Sequence, residues 1–176
     1  MRLFIAVDLP DEIKNYVFNL QNEINSGLTK INWVHKKNLH LTLKFLGEVE
    51  DDKVDKIKER LSSIKFDAFK LTFTKIGFFP SDKKISVIWL GIEPESKLIE
   101  LQQKVDAEIL NLFPDDQTFS AHLTLGRVKM IKKMKDFKKI IDDIDIEPLE
   151  FEVKSFKLMK SDLKRGGPKY EVIEEF

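Results

Sequence analysis

The chain alternates between unbroken apolar runs and apolar stripes at helical spacing. "RLFIAVDL" (Arg2–Leu9) is apolar almost throughout and reads as a buried strand. Pro10, Asp11 and Glu12 follow, residues that suit the first turn of a helix. Ile13, Val17, Leu20 and Ile24 then share one helical face, up to a stop near Gly27. "INWV" is short and extended, and "LHLTLKFLG" reads as a strand ending at Gly47. Asp51 and Asp52 open a second helix with Val54, Ile57, Leu61 and Ile64 on its apolar face. "FKLTFTKIGFF" (Phe69–Phe79) alternates as a strand up to Pro80.

The cycle then begins again. "KISVIWLGI" (Lys84–Ile92) is a second buried strand. Pro94 and Glu95 start a helix carrying Leu98, Leu101, Val105, Ile109 and Leu112. "FSAHLTLGRV" (Phe119–Val128) is the next strand, and Ile131, Met134, Phe137, Ile140 and Ile144 mark a helix. "LEFEVKSFKLMKS" reads as one further long strand, and "RGGPKYEVIEEF" as a turn and a last strand. The order strand, helix, strand, helix, strand thus occurs twice, over approximately 1–80 and 84–161, with a C-terminal strand after it. No linker rich in Gly, Ser or Pro divides the halves. The pattern predicts a single α+β domain over 1–176, bilobal and pseudo-symmetric.

The same tetrapeptide, "HLTL", stands in the matching strand of each half, at His40–Leu43 and His122–Leu125. The chain has 3 histidines, and these motifs hold two of them; the third, His35, reads as a surface residue. Side chains on a strand alternate between faces. Both leucines of each motif therefore point one way, into a core. The histidine and threonine point the other way, side by side. One such motif is unremarkable in a sheet, where His and Thr are tolerated on half-buried strands. Two copies in matching places suggest two halves of one site.

Two imidazoles and two hydroxyls suit phosphate-ester chemistry. Opening a phosphodiester ring with water needs one proton removed from the nucleophile and one delivered to the leaving oxygen. An imidazole titrates near neutral pH, so one copy can start neutral and the other protonated. The threonines can donate to the phosphate oxygens as charge builds. A metal site is the weaker alternative, because the motifs bring no carboxylate or thiolate ligands and leave the threonines unexplained.

Composition narrows the picture. There are 30 basic and 30 acidic residues, so no whole-molecule basic field exists and RNA contact must come from a local patch. There are 0 cysteines, which excludes a disulfide framework, a thiolate zinc site and a cysteine nucleophile. The opening apolar run is short and broken by Asp8 and Pro10, so no secretory leader is expected. No stretch approaches a membrane span. A cytoplasmic protein with no membrane association, a monomer, is the expectation.

The paired H-x-T-x motifs resemble those of the 2H phosphoesterase superfamily. The stretches "RLFIAVDLP", "WVHKKNLHLTLKFLGEV", "FSAHLTLGRV" and "GGPKYEVI" resemble the RNA 2′,3′-cyclic phosphodiesterases, also called 2′-5′ RNA ligases, of bacteria and archaea. The resemblance implies two antiparallel-rich sheets around a central cleft, with helices outside. It implies hydrolysis of RNA 2′,3′-cyclic phosphate ends to 2′-phosphate without a cofactor or metal, with tRNA fragments among the candidate substrates. It further implies His40 as proton donor to the leaving 3′ oxygen, His122 as proton acceptor, and Thr42 and Thr124 as phosphate ligands. The symmetry of the motifs does not by itself distinguish the two histidines. Reverse 2′-5′ ligation would use the same site. A related activity on another cyclic nucleotide or a tRNA-splicing intermediate stays open, as does an RNA-binding module without catalysis.

Arg127 matches an arginine that the family often carries. Strict alternation puts it on the leucine face, unless Gly126 permits a bulge that turns it back toward substrate. Lys44 continues the His40–Thr42 face by alternation and reads first as a solvated strand end. Trp33, Phe45 and Tyr170 are candidates for base stacking, with core packing the commoner role for such aromatics. "KMIKKMKDFKK" (Lys129–Lys139) reads as the solvated face of a helix. "KRGGPKY" (Lys164–Tyr170) is a turn signal and a candidate rim loop.

Overall fold

The computed structural model describes every residue except 115–117. In chain order the elements are β1 (Arg2–Asp8), α1 (Asp11–Ile24), β2 (Thr29–Trp33), a 3₁₀ turn (Lys36–Asn38), β3 (His40–Glu48), α2 (Asp51–Ser62) and β4 (Phe69–Pro80). They continue with β5 (Ile85–Glu93), α3 (Glu95–Ile109), β6 (His122–Ile131), α4 (Met134–Asp142), β7 (Glu150–Val153), β8 (Lys157–Lys164) and β9 (Gly167–Glu175). α1 carries Asp11 and Glu12, and α2 Asp51 and Asp52, in their first turns, where carboxylates meet the positive end of the helix dipole.

Two antiparallel sheets form, in the orders β3-β1-β8-β9 and β2-β6-β5-β4-β7. They do not follow the two sequence halves. β1 pairs with β3 and β5 with β6, each within its own half, but β4 crosses to β5 and β8 crosses to β1. Each half thus gives its late strand to the other's sheet. The helices cross as well: α1 reaches β6 through Gln21, and α3 reaches β3 through Asp106. One buried cluster holds the leucines of both repeated motifs, Leu41, Leu43, Leu123 and Leu125, together with Val17 and Ile24 of α1 and Val105 of α3. Among the described residues no helix is long and apolar enough to cross a membrane.

Four sequence expectations change. The long strand over "LEFEVKSFKLMKS" is two strands, β7 in one sheet and β8 in the other. The buried residues are Phe151 and Val153, then Phe156 and Leu158. Their alternation slips phase between Val153 and Phe156, and there the chain changes sheets. Backbone bonds between Phe156 and Phe176, at 3.1 and 2.9 Å, close that junction against the chain's end. Ile131 ends β6 instead of starting a helix, so the lysine-rich run is part strand and part helix. Ile64 and Leu112 fall just past their helices, where they still pack on the core. Phe119 and Ala121 precede β6, which starts at His122 itself.

Candidate active site

β3 and β6 run against one another between the sheets. Each begins with its histidine, and in each the leucines are buried while His and Thr are only half-buried. Alternation along the first four residues therefore sends imidazole and hydroxyl to the face opposite the core. His40 Nδ1 lies 2.6 Å from the Asn38 carbonyl, and His122 Nδ1 lies 2.8 Å from the Ser120 carbonyl. A carbonyl only accepts, so Nδ1–H is the donor in both and Nε2 is left for chemistry. His40 Nε2 is 2.8 Å from Thr42 Oγ1. The two residues of the motif thus form one hydrogen-bonded pair.

The surroundings of the two imidazoles differ. Asp8 stands opposite His40 in the register, whereas Gly91 stands opposite His122. Lys14 and Lys157 donate to the two oxygens of Asp8 at 2.8 and 2.9 Å. Burial works against the Asp8 carboxylate, yet these two ammonium groups hold it below its ordinary value. Phe4 and Tyr170 pack on the His40 ring at centroid distances of 5.0 and 5.4 Å. His122 is instead walled by Phe79 and Trp89, at 5.0 and 6.3 Å. Burial pushes both imidazoles below their ordinary value. At His40 the Asn38 hydrogen bond and the Asp8 charge pull back up, with Lys14 opposing them; at His122 only the Ser120 hydrogen bond does so.

Bulges decide where the flanking residues go. In β3, Ile5 pairs with Lys44 but Ala6 with Thr42, so Leu43 is an extra residue. In β6, Ile88 pairs with Gly126 but Trp89 with Thr124, so Leu125 is extra. An extra residue reverses the face of all that follow. Lys44 is therefore not a solvated strand end on the His40–Thr42 face. It turns to the helix side, where its half-buried chain forms an ion pair with Asp106 of α3. Phe45 takes the open face instead, against Phe4, and is 62% exposed.

Arg127 likewise leaves the leucine face. It is exposed, and its charge, with that of Arg2, acts on Tyr170, whose phenol burial pushes above its ordinary value. Gly126 permits this through space rather than through unusual dihedrals. Its φ is not positive, and a Cβ there would lie 2.7 Å from Ile31 Cγ2 and 2.9 Å from Trp33 Cε3. The Leu125 carbonyl at the bulge accepts from Val34 N at 2.9 Å and from Gln21 Nε2 at 2.9 Å. Buried Gln21 gives its other amide hydrogen to the Val34 carbonyl at 3.0 Å.

The other stacking candidates separate. Trp33 packs against Gly126, while Tyr170 lies on His40. His35 is exposed but engaged, its Nε2 2.9 Å from the Gly166 carbonyl at the β8–β9 turn, where Gly167 has φ +108. Asn38 Nδ2 donates to the Pro168 carbonyl at 2.8 Å, so the segment before β3 grips the hairpin that carries Tyr170. Sequence reading missed Asp8, Asn38, Phe79 and Gln21. Asp8 and Gln21 left a trace, as polar residues inside apolar patterns; Asn38 left none. Among the described residues no group of three or more His, Asp or Glu is placed to hold a metal.

The family model for LigT like phosphoesterases matches residues 7–89 and again 90–170, once per half. An RNA 2′,3′-cyclic phosphodiesterase of Archaeoglobus fulgidus is 39% identical over 100% of this chain and 99% of its own. The protein of the same name from Methanocaldococcus jannaschii is 41% identical over 100% of both. In structure, a Thermus thermophilus protein matches with a TM-score of 0.84 at 28% identity, over 100% of this chain and 97% of that one. Escherichia coli LigT in complex with 3′-AMP matches at 0.78 and 27%, over 99% and 96%.

Proposed function

The chain belongs to the LigT like phosphoesterase family, and from that premise we propose that it hydrolyses RNA 2′,3′-cyclic phosphodiester ends to 2′-phosphate. The observation that carries the reading is the doubled His–Thr face, with each imidazole anchored through Nδ1 so that Nε2 is turned away from the anchor, at His40 toward Thr42.

In the proposed reaction His122 Nε2 takes a proton from water as the water oxygen bonds to phosphorus. The bond from phosphorus to O3′ breaks, and His40 Nε2 gives its proton to O3′. The product carries a 2′-phosphate and a 3′-hydroxyl. His122 ends protonated and His40 neutral, and exchange with solvent resets them. Thr42 and Thr124 donate to the phosphate oxygens, and Arg127 offsets their charge. Asp8 opposite His40, against Gly91 opposite His122, supports this division of roles: the carboxylate favours imidazolium at His40 by more than Lys14 disfavours it, and His122 has no such carboxylate opposite it. With a 5′-hydroxyl in place of water, the same displacement of O3′ makes a 2′-5′ bond. We further place the protein in the cytoplasm as a monomer, with RNA ends, tRNA fragments among them, as substrate.

The test is to incubate the protein with an oligoribonucleotide ending in 2′,3′-cyclic phosphate and follow its mass and end group. The expected result is addition of one water with the phosphate left on O2′. No addition of water, or a 3′-phosphate product, overturns the reading.

A further inference from the structure

Beside His40 the structure holds a cavity of about 280 Å³. Ala6, Met159 and Val172 give it an apolar lining, and Tyr170 and His40 border it. Lys37, Lys157 and Lys169 line it as well. We propose that this cavity is the subsite for the terminal nucleoside of the substrate, with Lys37 and Lys169 binding that nucleoside's 5′-phosphate. The inference rests on the cyclic phosphodiesterase reading above and adds a specificity to it.

The side of the site follows from the direction of the displacement. Attacking and leaving oxygens lie in line across phosphorus. Water enters from the base and O3′ departs toward the acid. O3′ belongs to the ribose that carries the base, so the nucleoside must lie on the His40 side. That is where the cavity opens: His40 lines it together with Tyr170 and Lys169, and His122 does not.

Size and charge agree. Ligand sites commonly span ~300–1,000 Å³. A cavity just below that range suits one nucleoside, not a longer stretch of RNA. Its carboxylate, Asp8, does not repel an anion, because Lys14 and Lys157 occupy both of its oxygens and leave the cluster with net positive charge. Among the described residues neither Lys37 nor Lys169 has an ion-pair partner, so both charges are available to a phosphate. An apolar lining with ammonium groups around it matches a base with a phosphate on the far side of its sugar.

The test compares kcat/KM for adenosine 2′,3′-cyclic phosphate with and without a 5′-phosphate. The unmodified protein is expected to prefer the 5′-phosphorylated compound by at least ~10-fold, the scale of one charge-assisted hydrogen bond. The preference should shrink as salt is added. Lys37→Ala/Lys169→Ala should lose most of it. Val172→Trp, which fills the cavity from an edge strand, should raise KM for both compounds with its melting temperature held near that of the parent. Equal rates on the two compounds, or a full preference retained in the double lysine variant, overturn the subsite and leave the cyclic phosphodiesterase reading standing. If neither compound nor a cyclic-ended oligonucleotide is hydrolysed, the parent reading falls and this inference with it.

Discussion

Phe45 and Arg127 hold equivalent positions in the two sheets, each just past the bulge that follows its histidine. Phe45 pairs across the strand with Phe4, and Arg127 with Val87. One half therefore presents an exposed ring at this position and the other a guanidinium. Removing the guanidinium should weaken the hold on phosphate by roughly 1.5–3 kcal/mol, the range for hydrogen bonds to charged groups. Arg127→Ala is thus expected to lower kcat/KM about 10–150-fold. Arg127→Lys should recover only part of that, since the fork geometry is lost. Steady-state kinetics at low and high salt check this, and an unchanged kcat/KM in Arg127→Ala would exclude the contact.

The two histidines should not tolerate replacement. Either His40→Ala or His122→Ala is expected to slow hydrolysis at least ~100-fold, the low end for one general acid or base. A substrate with a good leaving oxygen needs little protonation at that oxygen. It should therefore rescue His40→Ala and leave His122→Ala slow. Rescue of the second variant alone reverses the roles.

Burial lowers both imidazoles, and the pH behaviour follows from that sign. The base must be neutral and the acid protonated, so kcat/KM should be bell-shaped and centred on the acid side of the ordinary imidazole value of ~6.5. A bound phosphate favours imidazolium, so the kcat bell should lie at higher pH than the kcat/KM bell. Stability has a sign as well. Each folded value lies below the unfolded one, so the unfolded chain binds more protons once pH falls below ~6.5. Folding should weaken through that window, and His40→Gln should weaken less. Kinetic profiles and melting curves between pH 5 and 8 read both effects; a kcat/KM optimum above pH 8 contradicts the first.

Hydrolysis should persist in excess chelator, because in the proposed reaction the imidazoles move the protons and Thr42, Thr124 and Arg127 meet the developing charge. Activity lost to chelator and restored by one divalent ion would sink that mechanism.

The wall behind His122 offers a further test. A methyl placed on Gly77 would overlap the Trp89 ring, which packs near His122. Gly77→Ala must displace that ring, at a cost of about 1–3 kcal/mol for overpacking. A lower melting temperature and a lower kcat are expected together. Unchanged values of both would mean that the ring moves freely and does not position His122.

Most elements were legible in the sequence because their causes are local. Apolar spacing marks α1 through Ile13, Val17, Leu20 and Ile24, and alternation marks the faces of the two "HLTL" motifs. Even the break between β7 and β8 was written in the chain, as the phase slip from Val153 to Phe156. The expectation for Lys44 failed for a different kind of reason. Alternation predicts a face only while the ladder stays in register, and the bulge at Leu43 takes it out of register. Whether a bulge forms depends on the partner strand, and in β6 also on a distant donor, Gln21, that satisfies the carbonyl at the bulge.

The same distinction separates the motif from the site. Sequence alone determined that an imidazole and a hydroxyl share one face of each strand, since strand geometry repeats every two residues whatever surrounds it. It determined equally for both copies, because the motifs are identical. Tertiary structure alone decided that β4 and β8 exchange sheets, that Asp8 stands beside one histidine and Gly91 beside the other, and that Arg127 leaves the leucine face. Those outcomes come from pairings between residues far apart in the chain. Backbone hydrogen bonds set the register of such pairings, and the register places unlike neighbours beside two like tetrapeptides.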